Sequence, residues 1–263
     1  MLGVLYSASL VHFREAIMAA LAFCLAASAV YVYNDIHDLE QDSLHPYKCS
    51  RPLASGALSI PMAITILLFL LVAGLGLGWY ISYQLFFILC FYFVLNVCYN
   101  HFFKTIFLLD VLCIASGFML RVLAGTLGIG IHLSGWLMMA AVLLSLLIVS
   151  SKRRLEKQFY SKLETRHVLK IYTVSFLDKF IDLSALASFV AYFLYVVIAR
   201  QASIYFLVTL PFVAIGIARF VFLIRQESRQ DDPMVILCRD YTSIINLLCF
   251  FILTTVALSV HRP

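Results

Sequence analysis

Long apolar runs separated by short polar stretches organise the whole chain. Uninterrupted apolar segments fall at 15–33, 60–79, 83–98, 106–130, 135–151, 180–199, 202–224 and 242–260. Each approaches the ~20 residues that a helix needs to cross a hydrocarbon core about 30 Å thick. The pattern predicts an all-α, polytopic transmembrane bundle of about eight spans. The apolar stretch 1–13 is too short to cross alone and reads as part of a further helix. Polar loops at 34–59, 99–105, 152–179 and 225–241 alternate with very short turns near 80–82, 131–134 and 200–201. Eight spans in series place all four polar loops on one side of the membrane.

Composition agrees. The chain is 63% hydrophobic and 13% charged, against about a quarter charged in soluble domains. No long polar linker or low-complexity tract divides residues 1–263, so the bundle reads as one unit. Seven Cys occur without C-x-x-C or Cys/His metal spacing. The odd number, mostly inside apolar runs, argues against a disulfide framework and for cysteine as a small hydrophobe. No secretory signal is visible: the first apolar run ends in an acidic motif, not a small-residue cleavage site.

The net charge of +5 is largely a topology signal. Fourteen of the nineteen Lys and Arg fall in the four polar loops. The opposite side holds Arg14, Arg200 and Arg262, and Arg121 and Arg219 lie inside spans. The positive-inside rule therefore puts the polar loops in the cytoplasm, and a nucleic-acid partner is not expected.

Chemistry concentrates where the first span ends. The segment Asn34-Asp35-Ile36-His37-Asp38-Leu39-Glu40-Gln41-Asp42 carries Asn34, Asp38 and Asp42 at i, i+4 and i+8 with Asp35 beside them. If the helix continues, these share one face. A row of hard oxygen ligands repels itself unless a cation sits there, and Mg²⁺ is the natural guest, completing its shell with substrate phosphate. Lys48 and Arg51 follow, the latter able to grip two phosphate oxygens at once. Tyr99 and Lys104 bound the next polar loop. Asp110 and Arg121 sit in the fourth span, about three turns apart, where charges mark a function or a buried pair. Lys152, Arg153 and Glu156 open the third loop, where a cation cluster suits a phosphorylated group. That loop ends in Asp178-Lys179-Phe180-Ile181-Asp182, two carboxylates on one helical face. The last loop carries Arg229, Asp231, Asp232, Arg239 and Asp240 without distinctive spacing.

NDIHDLEQD followed by RPLASG resembles the N-D-x-x-D-x-x-x-D and R-P-L-A-S-G signature of the UbiA superfamily of intramembrane prenyltransferases. The resemblance covers nearly the whole chain. It implies a helical bundle around a central cavity, with Asp35, Asp38 and Asp42 as catalytic metal ligands for Mg²⁺. HPYKCSRPLASG, LLDVLCIASGFMLRVLAG, SGWL, KRRLE and DDPMVILCRD resemble the decaprenyl-phosphate phosphoribosyltransferase branch. There the donor is phosphoribosyl diphosphate and the acceptor a polyprenyl phosphate. On that resemblance Asn34, Lys48, Arg51, Tyr99, Lys104, Arg121, Lys152, Arg153 and Glu156 are expected to contact substrate. Arg121 or the Lys152/Arg153 pair is expected to hold the acceptor phosphate.

Three features depart from the family pattern. The chain starts near the middle of the first helix such proteins carry, which is expected to reflect a truncated start or a missing part of the cavity wall. Asp178 and Asp182 have the spacing of a second aspartate motif in an apolar setting. His37 stands where a basic or bulky residue is usual. The expected location is a bacterial plasma (inner) membrane, and a homo-oligomer is compatible with the pattern. Two other readings stand beside phosphoribosyl transfer. One is a conventional prenyltransferase moving an isoprenyl chain from its diphosphate to an aromatic or other lipophilic acceptor, favoured by Asp178 and Asp182. The other is a transporter or catalytically inactive scaffold, against which no pair of broken half-helices marks inverted repeats.

Overall fold

The structure, a computed structural model, describes residues 10–44, 48–131, 133–159, 171–227 and 232–260. Its helices are α1 (Leu10–His37), α2 (Leu39–Leu44), α3 (Ile60–Ile81), α4 (Tyr83–His101), α5 (Leu109–Ala124) and α6 (Gly135–Phe159). There follow α7 (Val174–Leu194), α8 (Ile204–Leu207), α9 (Leu210–Gln226), α10 (Pro233–Arg239) and α11 (Tyr241–Val260). No strand occurs among the described residues. Eight segments are long and apolar enough to cross a membrane, one for each apolar run. Leu10–Phe13 belong to α1, and residues 1–9 lie outside the described residues. His45, Pro46, Tyr47, Arg229, Asp231 and Arg262 also lie outside them.

Three boundaries differ from expectation, each for an electrostatic or backbone reason. Lys152–Glu156 do not open a loop but form the last turns of α6. Arg153 and Arg154 are buried there because Asp110 and Asp178 neutralise them. The sixth span begins earlier than 180, at Val174, where the Thr173 hydroxyl caps the helix by accepting from Phe176 N at 3.1 Å. Asp178 and Asp182 can join that helix because Arg154 and Arg225 pair with them. The seventh span is interrupted between α8 and α9, where Pro211 restarts the helix.

Small residues bring α1 and α3 together. Ala19, Ala22 and Ala26 are fully buried on α1. A Cβ on Gly74 of α3 would stand 3.1 Å from both Ala22 O and Ala26 N. Such close backbone approach is a common way for helices to associate in lipid, where apolar burial alone gives little drive. Phe23 and Val30 of α1 share a core with Leu85, Leu89 and Tyr92 of α4 and Leu120 of α5. A second core joins Leu147 and Leu155 of α6, Ile181 of α7, Phe220 and Ile224 of α9 and Ile236 of α10. Val111, Val149, Tyr172 and Leu177 link the two halves through α5, α6 and α7.

Candidate active site

The polar ends of α1, α4, α5 and α6 meet at one end of the bundle. Backbone bonds from Asp38 N to Asn34 O (2.9 Å) and from Asp42 N to Asp38 O (2.8 Å) carry the helical path from α1 into α2. The i, i+4, i+8 row read from the sequence therefore exists. Past α2, a 3-10 turn at Lys48–Ser50 and the bond from Ser55 N to Arg51 O fold the following loop back over the row.

Each aspartate meets cations of the protein itself. Arg51 Nη1 donates to Asp35 Oδ1 and to Asp42 Oδ2, both at 2.7 Å. Lys48 Nζ lies 3.2 Å from the other oxygen of Asp42, which is almost fully buried. Lys104 Nζ donates to Asp38 Oδ1 at 3.0 Å, and His37 Nδ1 lies 2.9 Å from the same oxygen. Burial alone would raise the Asp38 carboxyl. The hydrogen bonds from His37 and Lys104, with the charge of Lys104, bring it below the ordinary carboxylate value instead. Asn34 accepts a short hydrogen bond from the amide of Asn100, a buried residue on α4. Tyr33 and His101 pair beside it at 2.7 Å.

A second network adjoins the first through consecutive residues of α4: Asn100 serves the aspartate row, and Tyr99 serves Arg153. Asp110 is fully buried and Arg153 is 1% exposed. Arg153 Nε donates to Asp110 Oδ2 at 2.7 Å, Nη1 to Glu156 at 2.6 Å, and Nη2 to Tyr99 Oη at 3.3 Å. Tyr172 Oη donates to Asp110 Oδ1 at 2.5 Å and accepts from Leu108 N at 3.1 Å. Burial, and then donation to Asp110, push the Tyr172 phenol above its ordinary range.

The structure thus gathers Asn34, Asp35, Asp38, Asp42, Lys48, Arg51 and Lys104, with Tyr99, Arg153 and Glu156 adjoining. It does not bring Arg121 or Lys152 to them. Arg121 is not the partner of Asp110; Arg153 is. The Arg121 guanidinium lies over Phe23 at 5.1 Å and Phe118 at 5.6 Å. Phe23 precedes Asp35 by twelve residues of one continuous helix, about 18 Å at 1.5 Å per residue. Lys152 turns the other way, to Asp232 at 2.8 Å. Asp178 and Asp182 are engaged by Arg154 and Arg225, both at 2.6 Å. Asn100, His101 and Tyr172 carry contacts that the sequence reading did not assign. Asn100 and His101 stood in a segment already marked as polar; Tyr172 lies late in the polar loop 152–179, with no motif around it to single it out.

Among the described residues, no group of three or more His, Cys, Asp or Glu is placed to hold a metal ion by itself. Two hard carboxylate oxygens do converge on one cationic atom, Arg51 Nη1. That donor set fits Mg²⁺, which takes one or two carboxylates and fills its remaining positions with water and phosphate.

The fold and site define a polytopic helical membrane protein with an aspartate row opposed by cations at one end of the bundle. Residues 1–238 match the UbiA prenyltransferase family, and the chain belongs to it. It is 33% identical over 216 residues to the decaprenyl-phosphate phosphoribosyltransferase of Mycolicibacterium smegmatis, covering 77% of this chain and 68% of that protein. The Corynebacterium glutamicum protein of the same name is 33% identical over 182 residues, 68% of this chain and 55% of that protein. The chain therefore spans between about half and two thirds of these relatives. A UbiA homolog from Archaeoglobus fulgidus bound to GPP and Mg²⁺ superposes with a TM-score of 0.73 over 98% of this chain and 91% of that one. At 17% identity this is a likeness of fold.

Proposed function

We propose that this protein is a Mg²⁺-dependent intramembrane transferase that moves 5-phosphoribosyl from phosphoribosyl diphosphate to a polyprenyl phosphate and releases diphosphate. The observation that carries the reading is the convergence of Asp35 and Asp42 on one cationic point, with Lys48 beside Asp42 and Lys104 on Asp38 of the same row. The relatives named above favour this donor and acceptor over a prenyl diphosphate, and Mg²⁺ accompanies a diphosphate in the fold relative.

Asp35 and Asp42 would hold the metal, with Asp38 in the same row. When bound, Mg²⁺ supplies positive charge where diphosphate departs. Lys48, Arg51 and Lys104 stand ready to take diphosphate oxygens once these replace the carboxylates. Asn100 fixes the rotamer of Asn34 at the edge of the site. Tyr99 and Glu156, held by Arg153, adjoin the row through α4. The acceptor phosphate is ionised near neutral pH and attacks C1 while the C1–diphosphate bond breaks, so no dedicated base is required. The lipid would enter from the bilayer, and the excess of Lys and Arg in the polar loops supports a cytoplasmic face for the site, in a membrane we read as a bacterial plasma membrane. Residues 1–263 act as one unit.

The test is label transfer. Purified protein with Mg²⁺, polyprenyl phosphate and labelled phosphoribosyl diphosphate should place label in the organic phase, and EDTA should abolish it. Asp38→Ala should remain folded and lose roughly 10²–10³ in rate, the usual loss when preorganised charge stabilisation is removed. Label from a prenyl diphosphate and none from phosphoribosyl diphosphate would move the assignment to ordinary prenyl transfer.

A further inference from the structure

Tyr172 lies outside the aspartate row and outside every motif that marks the site, yet it is among the most completely buried large side chains in the molecule. Its ring packs on Phe107 and Phe176, with centroids 4.9 Å and 6.2 Å away. Its hydroxyl makes two bonds of different kinds. One holds Leu108, a non-glycine residue in the left-handed region at φ 64°, at the start of α5. The other fixes Asp110 Oδ1, while Asp110 Oδ2 takes Arg153 Nε.

Asp110 therefore has one oxygen on the phenol and one on the guanidinium. Rotation of its carboxylate would break both bonds. With Asp110 locked, Arg153 cannot turn, and its two remaining nitrogens stay aimed at Glu156 and Tyr99. A guanidinium is a planar fork whose donors move together, so an error at Nε is passed to Nη1 and Nη2. All of this lies at the end of the bundle that carries the aspartates, one residue along α4 from Asn100.

We infer that Tyr172 is a positioning residue: through Asp110 and Arg153 it sets where Glu156 and Tyr99 stand against the diphosphate donor. The inference rests on the proposed function for the identity of that donor, but not for the existence of the relay.

Tyr172→Phe keeps the ring and removes the hydroxyl. With the full chain in detergent, kcat/KM for labelled phosphoribosyl diphosphate should fall by about tenfold to a hundredfold, the loss expected when reacting groups are misplaced by about an ångström. Most of the change should appear in KM for the donor, with KM for polyprenyl phosphate little altered. Arg153→Lys keeps a cation for Asp110 but loses the fork, and should shift the same constant in the same direction.

Leu108→Gly separates positioning from mere support. Glycine adopts a positive φ without strain, so it relieves whatever Tyr172 does for that turn. If the double variant Tyr172→Phe/Leu108→Gly stays impaired, the relay through Asp110 is upheld. If it recovers, or if Tyr172→Phe has wild-type kinetics, the inference is overturned. Should Tyr172→Phe not fold, Arg153→Lys decides alone: an unchanged donor KM overturns the inference. Should the wild type use a prenyl diphosphate instead, the proposed function fails by itself. The same variants, assayed with that donor, then still test the relay.

Discussion

Removing Arg51 tests whether the point where Asp35 and Asp42 converge is a cation site. Each of their oxygens lies 2.7 Å from Nη1, so the two are at most about 5.4 Å apart. Without the guanidinium they face each other as like charges. Their repulsion is about 3 kcal/mol at an effective dielectric of about 20 and under ~1 kcal/mol in bulk water. The Arg51 and Asp35 side chains are 42% and 34% exposed, and Lys48 still covers the far oxygen of Asp42. Screening therefore brings the expected loss for Arg51→Ala to about 1 kcal/mol, or roughly 2–4 °C in the thermal midpoint for a chain of this size. The more telling effect is on metal. Mg²⁺ competes with the guanidinium in the wild type and has no such competitor in the variant. An ion at a hundred times its Kd stabilises by about 2.7 kcal/mol, so Mg²⁺ should more than restore the midpoint of Arg51→Ala while moving the wild type less. The assay is thermal unfolding in detergent with EDTA and with saturating Mg²⁺, without any substrate. Equal Mg²⁺-induced shifts in the two proteins would refute the reasoning, as would an extra shift that survives when Asp35→Asn and Asp42→Asn are added.

The remaining expectations concern what holds the site in place. Asp110→Ala removes one of the two carboxylates on the buried Arg153 guanidinium, with Glu156 remaining at 2.6 Å, and should cost about 1.5–3 kcal/mol of stability; Asp110→Leu with Arg153→Met should recover most of the midpoint but not label transfer, because Glu156 and Tyr99 lose their anchor. Gly74→Val drives a side chain into Ala22 O and Ala26 N and should cost about 1–3 kcal/mol. Gly76→Val, on the same helix with nothing within 4 Å of its Cβ position, should melt close to the wild type. Asp240 caps α11: its carboxyl accepts from Arg219 Nη2 at 2.7 Å and from Ser243, and these bonds hold it well below the ordinary carboxylate range. Its stabilisation is therefore complete above the ordinary value of about 4 and is lost as pH falls toward its own lower value in the folded state. The wild-type midpoint should drop more steeply than that of Asp240→Asn as pH is lowered below about 5, and parallel curves would remove Asp240 from the account.

Hydrophobic runs by themselves determined that this is a membrane bundle and how many times it crosses, because lipid requires each span to satisfy its own backbone along some twenty apolar residues. Spacing alone also placed Asn34, Asp38 and Asp42 on one face, since helical periodicity is local. What sequence distance hides is which charge answers which. Asp110 and Arg121, eleven residues apart in one span, invite pairing; the fold instead carries Arg153 across from α6 to Asp110 and leaves Arg121 over aromatic rings about 18 Å from the aspartates along α1. Lys152 and Arg153 are neighbours in sequence but point to Asp232 and Asp110, because successive residues of a helix face about 100° apart. Asp178 and Asp182 share a face of α7 one turn apart, yet a different helix answers each: Arg154 of α6 pairs with Asp178 and Arg225 of α9 with Asp182. Tyr172 shows the limit most clearly. A single tyrosine in a polar loop that lacks a motif around it has no local signature, and only the packing of α5, α6 and α7 gives its hydroxyl a carboxylate to hold.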